Sequence, residues 1–181
     1  MKKFELTNEF ITNMFGTKLF RIRALVEFGD VEAGELGGYV EKESNLGHDD
    51  NAWVYGNARV YGDALVYDNA RVYGNAWVYG DAQVSGNARV YGNALVCGDA
   101  RVCGDARVCG NGDYAYAHGF GSVNRTTTFF RLKDGGVGVR CGCFYGTLAQ
   151  FRDKIRETHG ETKKAQEYLM LADLMKLRFE K

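Results

Sequence analysis

The chain has 181 residues, and its 23 basic and 23 acidic side chains give a formal net charge of zero. A surface devoted to nucleic acid or anionic lipid would be strongly basic, so neither partner is expected. Twenty-four glycines occur beside 13% aromatic residues; disordered glycine-rich chains lack aromatic residues, so this composition indicates a folded protein. No apolar run approaches the roughly 20 residues that cross a bilayer, and no membrane association is expected.

Residues 1–37 are predicted to form an N-terminal β cap. Apolar and polar side chains alternate over residues 3–7 and 19–28, as they do in half-buried strands. A short loop at residues 13–17 separates these segments. The repetitive segment that follows needs a cap, because bare strands at the end of a solenoid would pair with other chains.

A six-residue unit repeats ten times without a gap between residues 52 and 111. The unit is alanine, a variable residue, valine, usually tyrosine, glycine, and asparagine or aspartate. Alanine and valine are two positions apart and face one side of an extended strand, whereas the variable residue and tyrosine face the other. Glycine with asparagine or aspartate suits a tight corner. Each unit is therefore predicted to be a short strand and a bend, stabilised by stacking of successive turns.

Two earlier units extend the predicted solenoid to residues 38–111. Val40 and Leu46 are six residues apart, and Val54 follows after eight. The two additional residues are expected to form a corner loop at residues 47–50. Twelve strands then give four coils of three strands, with a length of roughly 19 Å.

The repeat resembles the hexapeptide-repeat family, in which an aliphatic residue recurs every six positions with a small residue four later. Val54 with Ala58 and Val60 with Ala64 match this pattern. The resemblance implies a left-handed parallel β-helix with three units per coil. The predicted fold is mainly β, with about four coils, an N-terminal β cap, and a C-terminal β-hairpin with two helices. Members of the family usually assemble as trimers through one outer face, which implies a homo-oligomer.

Residues 18 positions apart are predicted to stack on the same outer face of the solenoid. One face carries Trp53, Arg71, Arg89 and Arg107, flanked by Tyr55, Tyr73, Tyr91 and Cys109. Guanidinium groups and aromatic rings in such a ladder could pair with phosphates and stack on bases. The alternative is a solvated or trimer-facing β surface. The excess of tyrosine likewise has two explanations, an oligomer interface or packing under the terminal segments.

Residues 112–181 are predicted to form a ββαα module with a net charge of +4. A turn at residues 134–136 is typical of a hairpin, Thr147 and Gln150 have the spacing of a helix capping box, and Gly160 is a helix stop. The predicted elements are strands at residues 128–133 and 137–143 and helices at residues 148–159 and 161–179.

The connector between solenoid and module contains a second candidate site. Residues 119–122 are glycine-rich, and Arg125, Thr126 and Thr127 follow. Backbone amides, hydroxyls and a guanidinium could cradle a phosphate there; a glycine-rich connector without a function is the alternative. The predicted ligand- or partner-binding residues are Arg71, Arg89, Arg107, Tyr73, Tyr91, Arg125, Thr126 and Thr127.

The five cysteines do not predict a metal site. Cys97, Cys103 and Cys109 are six residues apart, so they point from three different faces and cannot converge on one ion. Cys141 and Cys143 are expected on an apolar strand face. Reduced thiols in a cytoplasm explain all five, and no cofactor is expected.

An acyltransferase-like enzyme is the alternative function, because hexapeptide-repeat acyltransferases use a histidine base near a subunit interface. The candidates are His48, His118 and His159. His48 lies in the corner loop beside Asp49 and Asp50, which could raise its basicity. The longer loop and cofactor-binding end of such enzymes are not recognisable in the sequence.

The whole chain resembles uncharacterised phage and prophage proteins with the same three parts. The resemblance lies in residues 19–25 and 36–41, in the Gly-Asn-Ala-Arg-Val-Tyr array, and in the Cys-Gly-Cys-Phe phrase at 141–144. It implies a small viral protein in the bacterial cytoplasm. The resulting interpretation is a non-enzymatic binding protein, without catalytic residues, that inhibits a bacterial defence system by binding a host protein or a small anionic ligand.

Overall fold

Short strands dominate the chain, and two helices follow them. The computed structural model describes residues 2–121 and 123–180. Its strands are β1 Phe4–Thr12, β2 Lys18–Ala24, β3 Leu36–Val40, β4 Trp53–Val54, β5 Arg59–Val60, β6 Leu65–Val66, β7 Arg71–Val72, β8 Trp77–Val78, β9 Gln83–Val84, β10 Arg89–Val90, β11 Leu95–Val96, β12 Arg101–Val102, β13 Arg107–Val108, β14 Tyr114–Phe120, β15 Arg125–Arg131, β16 Val137–Cys141 and β17 Phe144–Thr147. Helices α1 Leu148–His159 and α2 Lys163–Phe179 complete it, and Glu43–Asn45 forms a 3-10 turn.

The repeat units form a parallel β-solenoid of about four turns, as predicted. Strands 18 residues apart, or 20 for β3 and β5 in the first turn, pair in parallel and build three walls. The first wall stacks β4, β7, β10 and β13; the second stacks β3, β5, β8 and β11; the third stacks β6, β9 and β12. The unit around Leu46 adds a single parallel bridge to Val66 on the third wall, because the preceding residues form the 3-10 turn. The left hand implied by the resemblance stays a prediction.

The solenoid core consists of the alanine and valine positions of the repeat. Each of these side chains, from Ala52 to Val108, is fully buried. Backbone N–H groups donate to carbonyls one turn later, as from Tyr73 to Val90 at 3.0 Å. Since a unit buries only one alanine and one valine, no turn is stable without its neighbours.

The corners use backbone conformations that favour glycine. Gly86 has a φ of +65° and lies directly against the next turn, where an added Cβ would come within 2.9 Å of the Gly104 nitrogen. Asp68 occupies the equivalent corner position with a φ of +57°. Its carboxylate accepts a hydrogen bond from the Gly86 N–H at 2.9 Å, which explains how a non-glycine residue is tolerated there.

The N-terminal segment covers the first turn. β1 and β2 form an antiparallel hairpin that continues the second wall through β3. The Lys3 ammonium donates to three carbonyls, of Asp49, Asp50 and Ala52, at 3.4, 3.2 and 2.9 Å. Burial there lowers the pKa of Lys3 to about 8, against the opposing charges of both aspartates. These contacts satisfy carbonyls at the entrance of the tube.

The predicted N-terminal strands differ in length from the observed ones. β1 continues to Thr12, beyond the predicted end at residue 7. β2 ends at Ala24 rather than residue 28, because Phe28 and Val31 pair with each other around a reversal of the chain. β3 begins at Leu36, so the cap joins the first turn without a break.

The C-terminal segment is a four-stranded antiparallel sheet in the order β14-β15-β16-β17, followed by α1 and α2. Both helices were predicted, and the Thr147–Gln150 capping box and the Gly160 C-cap are present. The predicted hairpin is formed by β15 and β16, but β14 and β17 pair at its two edges, so the sheet has two more strands than the predicted ββαα module. The strand predicted to reach residue 143 ends at Cys141, because Gly142, with a φ of +59°, starts a turn. Cys143 therefore lies exposed in that turn and not on an apolar strand face.

Within residues 2–121 and 123–180, neither helix is long and apolar enough to span a membrane. The division of the chain at residues 1–37, 38–111 and 112–181 stays a prediction.

Candidate functional site

The three predicted arginines lie side by side on the first wall of the solenoid. Arg89 on β10 is in register with Arg71 on β7 and with Arg107 on β13. Adjacent strands are about 4.8 Å apart. The repeat thus places one guanidinium on each of three successive turns.

Two of the three guanidinium groups are held by protein groups. Arg71 forms an ion pair with Asp30 of the cap, at 2.7 Å. Partial burial of Asp30 opposes its ionisation, but the hydrogen bond from Tyr55 and the charge of Arg71 lower its pKa overall. Arg107 donates to the carbonyls of Asn87 and Ala106 at 3.0 and 2.9 Å.

Arg89, at the centre of the ladder, is exposed to solvent. Within residues 2–121 and 123–180, its guanidinium has neither a hydrogen bond nor an ion pair. It is therefore the arginine of the ladder that can form new contacts without breaking existing ones.

A groove of about 310 Å³ runs along this ladder. Its other lining residues are Asn69, Asn87, Asp105 and Lys133. Asn87 donates to the Asp105 carboxylate at 3.3 Å, and the Lys133 backbone N–H donates to the Asp105 carbonyl at 3.1 Å. Four cations and one carboxylate therefore line the groove, which is close in volume to the lower end of small-ligand sites, about 300 Å³.

Sequence reasoning did not find Lys133 or Asp30 as neighbours of the arginine ladder. Lys133 was part of the predicted hairpin, and Asp30 lies in the irregular part of the cap. Each reaches the ladder through a contact between distant parts of the chain, and no local pattern indicates such a contact.

The tyrosines of the ladder stack on each other. The Tyr73 and Tyr91 rings are 5.0 Å apart and within 5° of parallel. Because the two rings stack on each other, no base can insert between them. The Tyr55 hydroxyl donates a hydrogen bond to the Asp30 carboxylate at 3.0 Å. Trp53 is fully buried beneath the cap, with its ring centroid 5.3 Å from that of Phe28. Packing under a terminal segment thus accounts for part of the aromatic ladder.

The residues of the predicted phosphate cradle do not converge. Arg125 and Thr127 lie on one face of β15 and Thr126 on the other, because side chains alternate along a strand. Thr127 is fully buried and its hydroxyl donates to Cys141 Sγ at 3.2 Å. Thr126 Oγ1 lies 2.8 Å from His118 Nδ1. Ser122 lies outside the described residues.

Arg125 instead lines a second cavity, of about 270 Å³, between the sheet and α1. Lys154 and His159 of α1 share this cavity with Phe144 and Tyr168. Burial raises the pKa of Tyr168 to about 12, although the charge of Arg125 acts in the opposite direction. This cavity shares no lining residue with the groove, so the arginine ladder and Arg125 belong to different sites.

Neither His48 nor His118 has the hydrogen-bond partners of a catalytic base that is oriented by a carboxylate. His48 stacks on Phe4 at 4.4 Å, and its Nδ1 accepts a hydrogen bond from the Lys3 N–H at 3.1 Å. Burial lowers its pKa, contrary to the predicted increase in basicity. For His118, both Thr126 and Asp99 approach the same nitrogen, Nδ1, at 2.8 and 3.7 Å. A base oriented by a carboxylate needs its two partners on opposite nitrogens.

His159 lines the cavity beside Arg125 together with Cys141 and Cys143. His159 stacks on Tyr168 at 6.0 Å. Burial raises the pKa of Cys103 to about 11, which keeps it a thiol. Among the residues for which the structure gives positions, no three histidine, cysteine or acidic side chains form a group that could hold a metal ion.

The repeat also matches a known family model. Residues 52–68, 64–80 and 82–98 match the YdcK beta solenoid repeat. The repeat is similar to that of YdcK. Together with the parallel walls, the YdcK match confirms the predicted class of repeat β-helix. No curated protein matches the chain, and the resemblance to phage proteins stays a prediction.

Proposed function

We propose that the protein is a non-enzymatic binding protein that holds a small, multiply charged anion in the groove along Arg71, Arg89 and Arg107. The observation that carries the proposal is the in-register ladder of three guanidinium groups on a rigid wall, with Lys133 beside it. The paired strands hold the three arginines on one wall before an anion binds, and Arg89 can contact the anion without breaking an existing contact, which favours affinity.

The spacing of the ladder favours a ligand with more than one anionic group. The strands that carry the three arginines are about 4.8 Å apart, so guanidinium groups on neighbouring turns can each approach a different phosphate or carboxylate of one molecule. The amides of Asn69 and Asn87, which also line the groove, supply neutral donors and acceptors beside the arginines. A nucleotide-like ligand, with two or more phosphates and a polar base, fits this combination.

The resemblance to phage proteins supports a role in the cytoplasm of an infected bacterium. There, sequestering a nucleotide-like signal would inhibit an antiviral defence system that depends on it. Binding of a host protein to the same arginines is the other form of this function, and the experiment below separates the two.

Replacing Arg89 with glutamine tests the groove directly. Titration calorimetry with ATP, inorganic tripolyphosphate and a cyclic dinucleotide is expected to detect binding to the unchanged protein. Arg89→Gln is expected to weaken binding at least roughly tenfold, because it removes a charge-assisted hydrogen bond. Stability is expected to be unchanged, since the side chain is exposed.

Arg101→Gln is the matched control, because Arg101 occupies the same position of the repeat unit on the third wall and is also exposed. Equal loss in both variants, or no binding of any of the three anions, would contradict the proposed groove. If the unchanged protein retains a host protein that Arg89→Gln does not retain, and neither binds an anion, the function is host-protein binding by the same arginines. Stabilisation by acetyl-CoA that survives Arg89→Gln would instead favour the acyltransferase-like enzyme.

A further inference from the structure

Helix α2 has a second apolar side that faces solvent. Met170, Leu174 and Leu177 are 71%, 55% and 69% exposed. Their spacing places them within about 60° of one another around the helix. The packed side of the helix is formed by Ala165, Tyr168, Ala172, Met175 and Phe179. Three large exposed side chains in one row are more than scattered surface residues and indicate a contact surface.

We propose that this row, Met170, Leu174 and Leu177, binds the same row of a second copy of the chain, with the two α2 helices antiparallel. A two-fold interface brings one surface patch against itself, so the patch must complement its own rotated image. In an antiparallel pair whose centre lies between residues 173 and 174, Met170 faces the partner's Leu177. Leu174 then lies against the partner's Leu174.

The charges beside the row complement each other in this arrangement. Glu167 and Arg178 lie on the same flank of the row, and an antiparallel two-fold pair places each flank against the same flank of the partner. Glu167 therefore faces the partner's Arg178, and the symmetry produces this pair twice. The midpoint of residues 167 and 178 is one residue from that of 170 and 177, so Glu167 and the partner's Arg178 are offset by about 3 Å along the helix axis.

The other flank of the row carries Asp173. Lys176 lies closer to the packed side of the helix, in a cavity that it lines with Arg152 and Phe179. Within its own chain, Asp173 pairs with Arg152 at 2.6 Å and Lys176 approaches Glu180 at 3.8 Å.

Arg178 also donates to the Asn111 carbonyl of its own chain at 3.3 Å. In a parallel pair, the flank with Glu167 and Arg178 would face the flank with Asp173, which Arg152 of its own chain already holds. The antiparallel arrangement therefore rests on the pair formed by Glu167 and Arg178, which the symmetry produces twice.

One helix per copy gives a small interface, below the roughly 1,600 Å² of a standard one. A reversible dimer is expected rather than a permanent one. This contact is separate from the trimer that the hexapeptide-repeat resemblance implies, because it uses α2 and not a wall of the solenoid. It is also independent of anion binding in the groove, which lies on the first wall.

Analytical ultracentrifugation of the full chain over a concentration series tests the proposal. The unchanged protein is expected to dimerise, and Leu174→Glu is expected to raise the dissociation constant at least roughly tenfold, because two like charges meet at the centre. Leu177→Gln is expected to weaken the dimer as well. Phe15→Glu is the matched control, because Phe15 is 78% exposed in the β1–β2 loop, and it is expected to leave association unchanged.

Charge reversal tests the antiparallel arrangement. Glu167→Arg is expected to weaken the dimer, and the double variant Glu167→Arg with Arg178→Glu is expected to restore it, because the pairs are re-formed with exchanged signs. A protein that stays monomeric at every concentration overturns the proposal. Association that survives both Leu174→Glu and Leu177→Gln, or a double variant no tighter than Glu167→Arg alone, also overturns it.

Discussion

Replacing Val78 with aspartate is expected to unfold the solenoid. Val78 on β8 lies between Val60 and Val96 of the adjacent turns, and all three side chains are fully buried. Burying a carboxylate among aliphatic side chains costs several kcal/mol, about 3 or more, in a domain whose total stability is about 5–15 kcal/mol. Urea denaturation followed by circular dichroism is expected to show loss of the cooperative transition or a large shift to lower urea.

Val123→Asp is the matched control for this substitution. Val123 is 58% exposed, so the same change is expected to alter the free energy of unfolding by no more than about 0.5 kcal/mol. If Val78→Asp unfolded at the same urea concentration as the unchanged protein, the valine column would not be the core of the solenoid.

Gly86→Ala is expected to destabilise the protein more than Gly56→Ala. Both glycines have a positive φ, +65° and +57°, so alanine costs about 1–2 kcal/mol at either corner. At Gly86, the added Cβ would also come within 2.9 Å of the Gly104 nitrogen, whereas no atom lies within 4 Å of a Cβ at Gly56. The difference between the two variants therefore measures the contact between successive corners.

Thermal denaturation of both variants gives this comparison. Gly86→Ala is expected to lose roughly 2–3 kcal/mol, because backbone atoms of the next turn must move. Equal destabilisation of the two variants would show that the corner of the Gly86 turn is not packed on that of the Gly104 turn.

The solenoid could be predicted from the sequence because the residues that define it recur every six positions and act within a single repeat unit. Alanine and valine recur at fixed positions, and the two-residue strand spacing alone fixes which side chains face inward. The same period places Arg71, Arg89 and Arg107 on one wall, and the structure brings them together there. Prediction of this part needs no knowledge of distant contacts.

The terminal segments follow no such period, and their prediction was less complete. β14 and β17 were missed, because each is a strand only through pairing with β15 or β16. Asp30 and Lys133 were missed as neighbours of the arginine ladder for the same reason. The predicted cradle failed at Thr126, where strand alternation turns the side chain away from Arg125.

A disulfide cross-link tests most directly the claim that residues 18 positions apart are neighbours. The Tyr91 N–H donates to the Val108 carbonyl at 2.9 Å, and Cys109 is exposed beside it. Adjacent strands about 4.8 Å apart are within the reach of a disulfide. After mild oxidation of Tyr91→Cys, peptide mapping by mass spectrometry is expected to find residue 91 linked to Cys109. A link from residue 91 to Cys97 or Cys103 would contradict the three-walled solenoid.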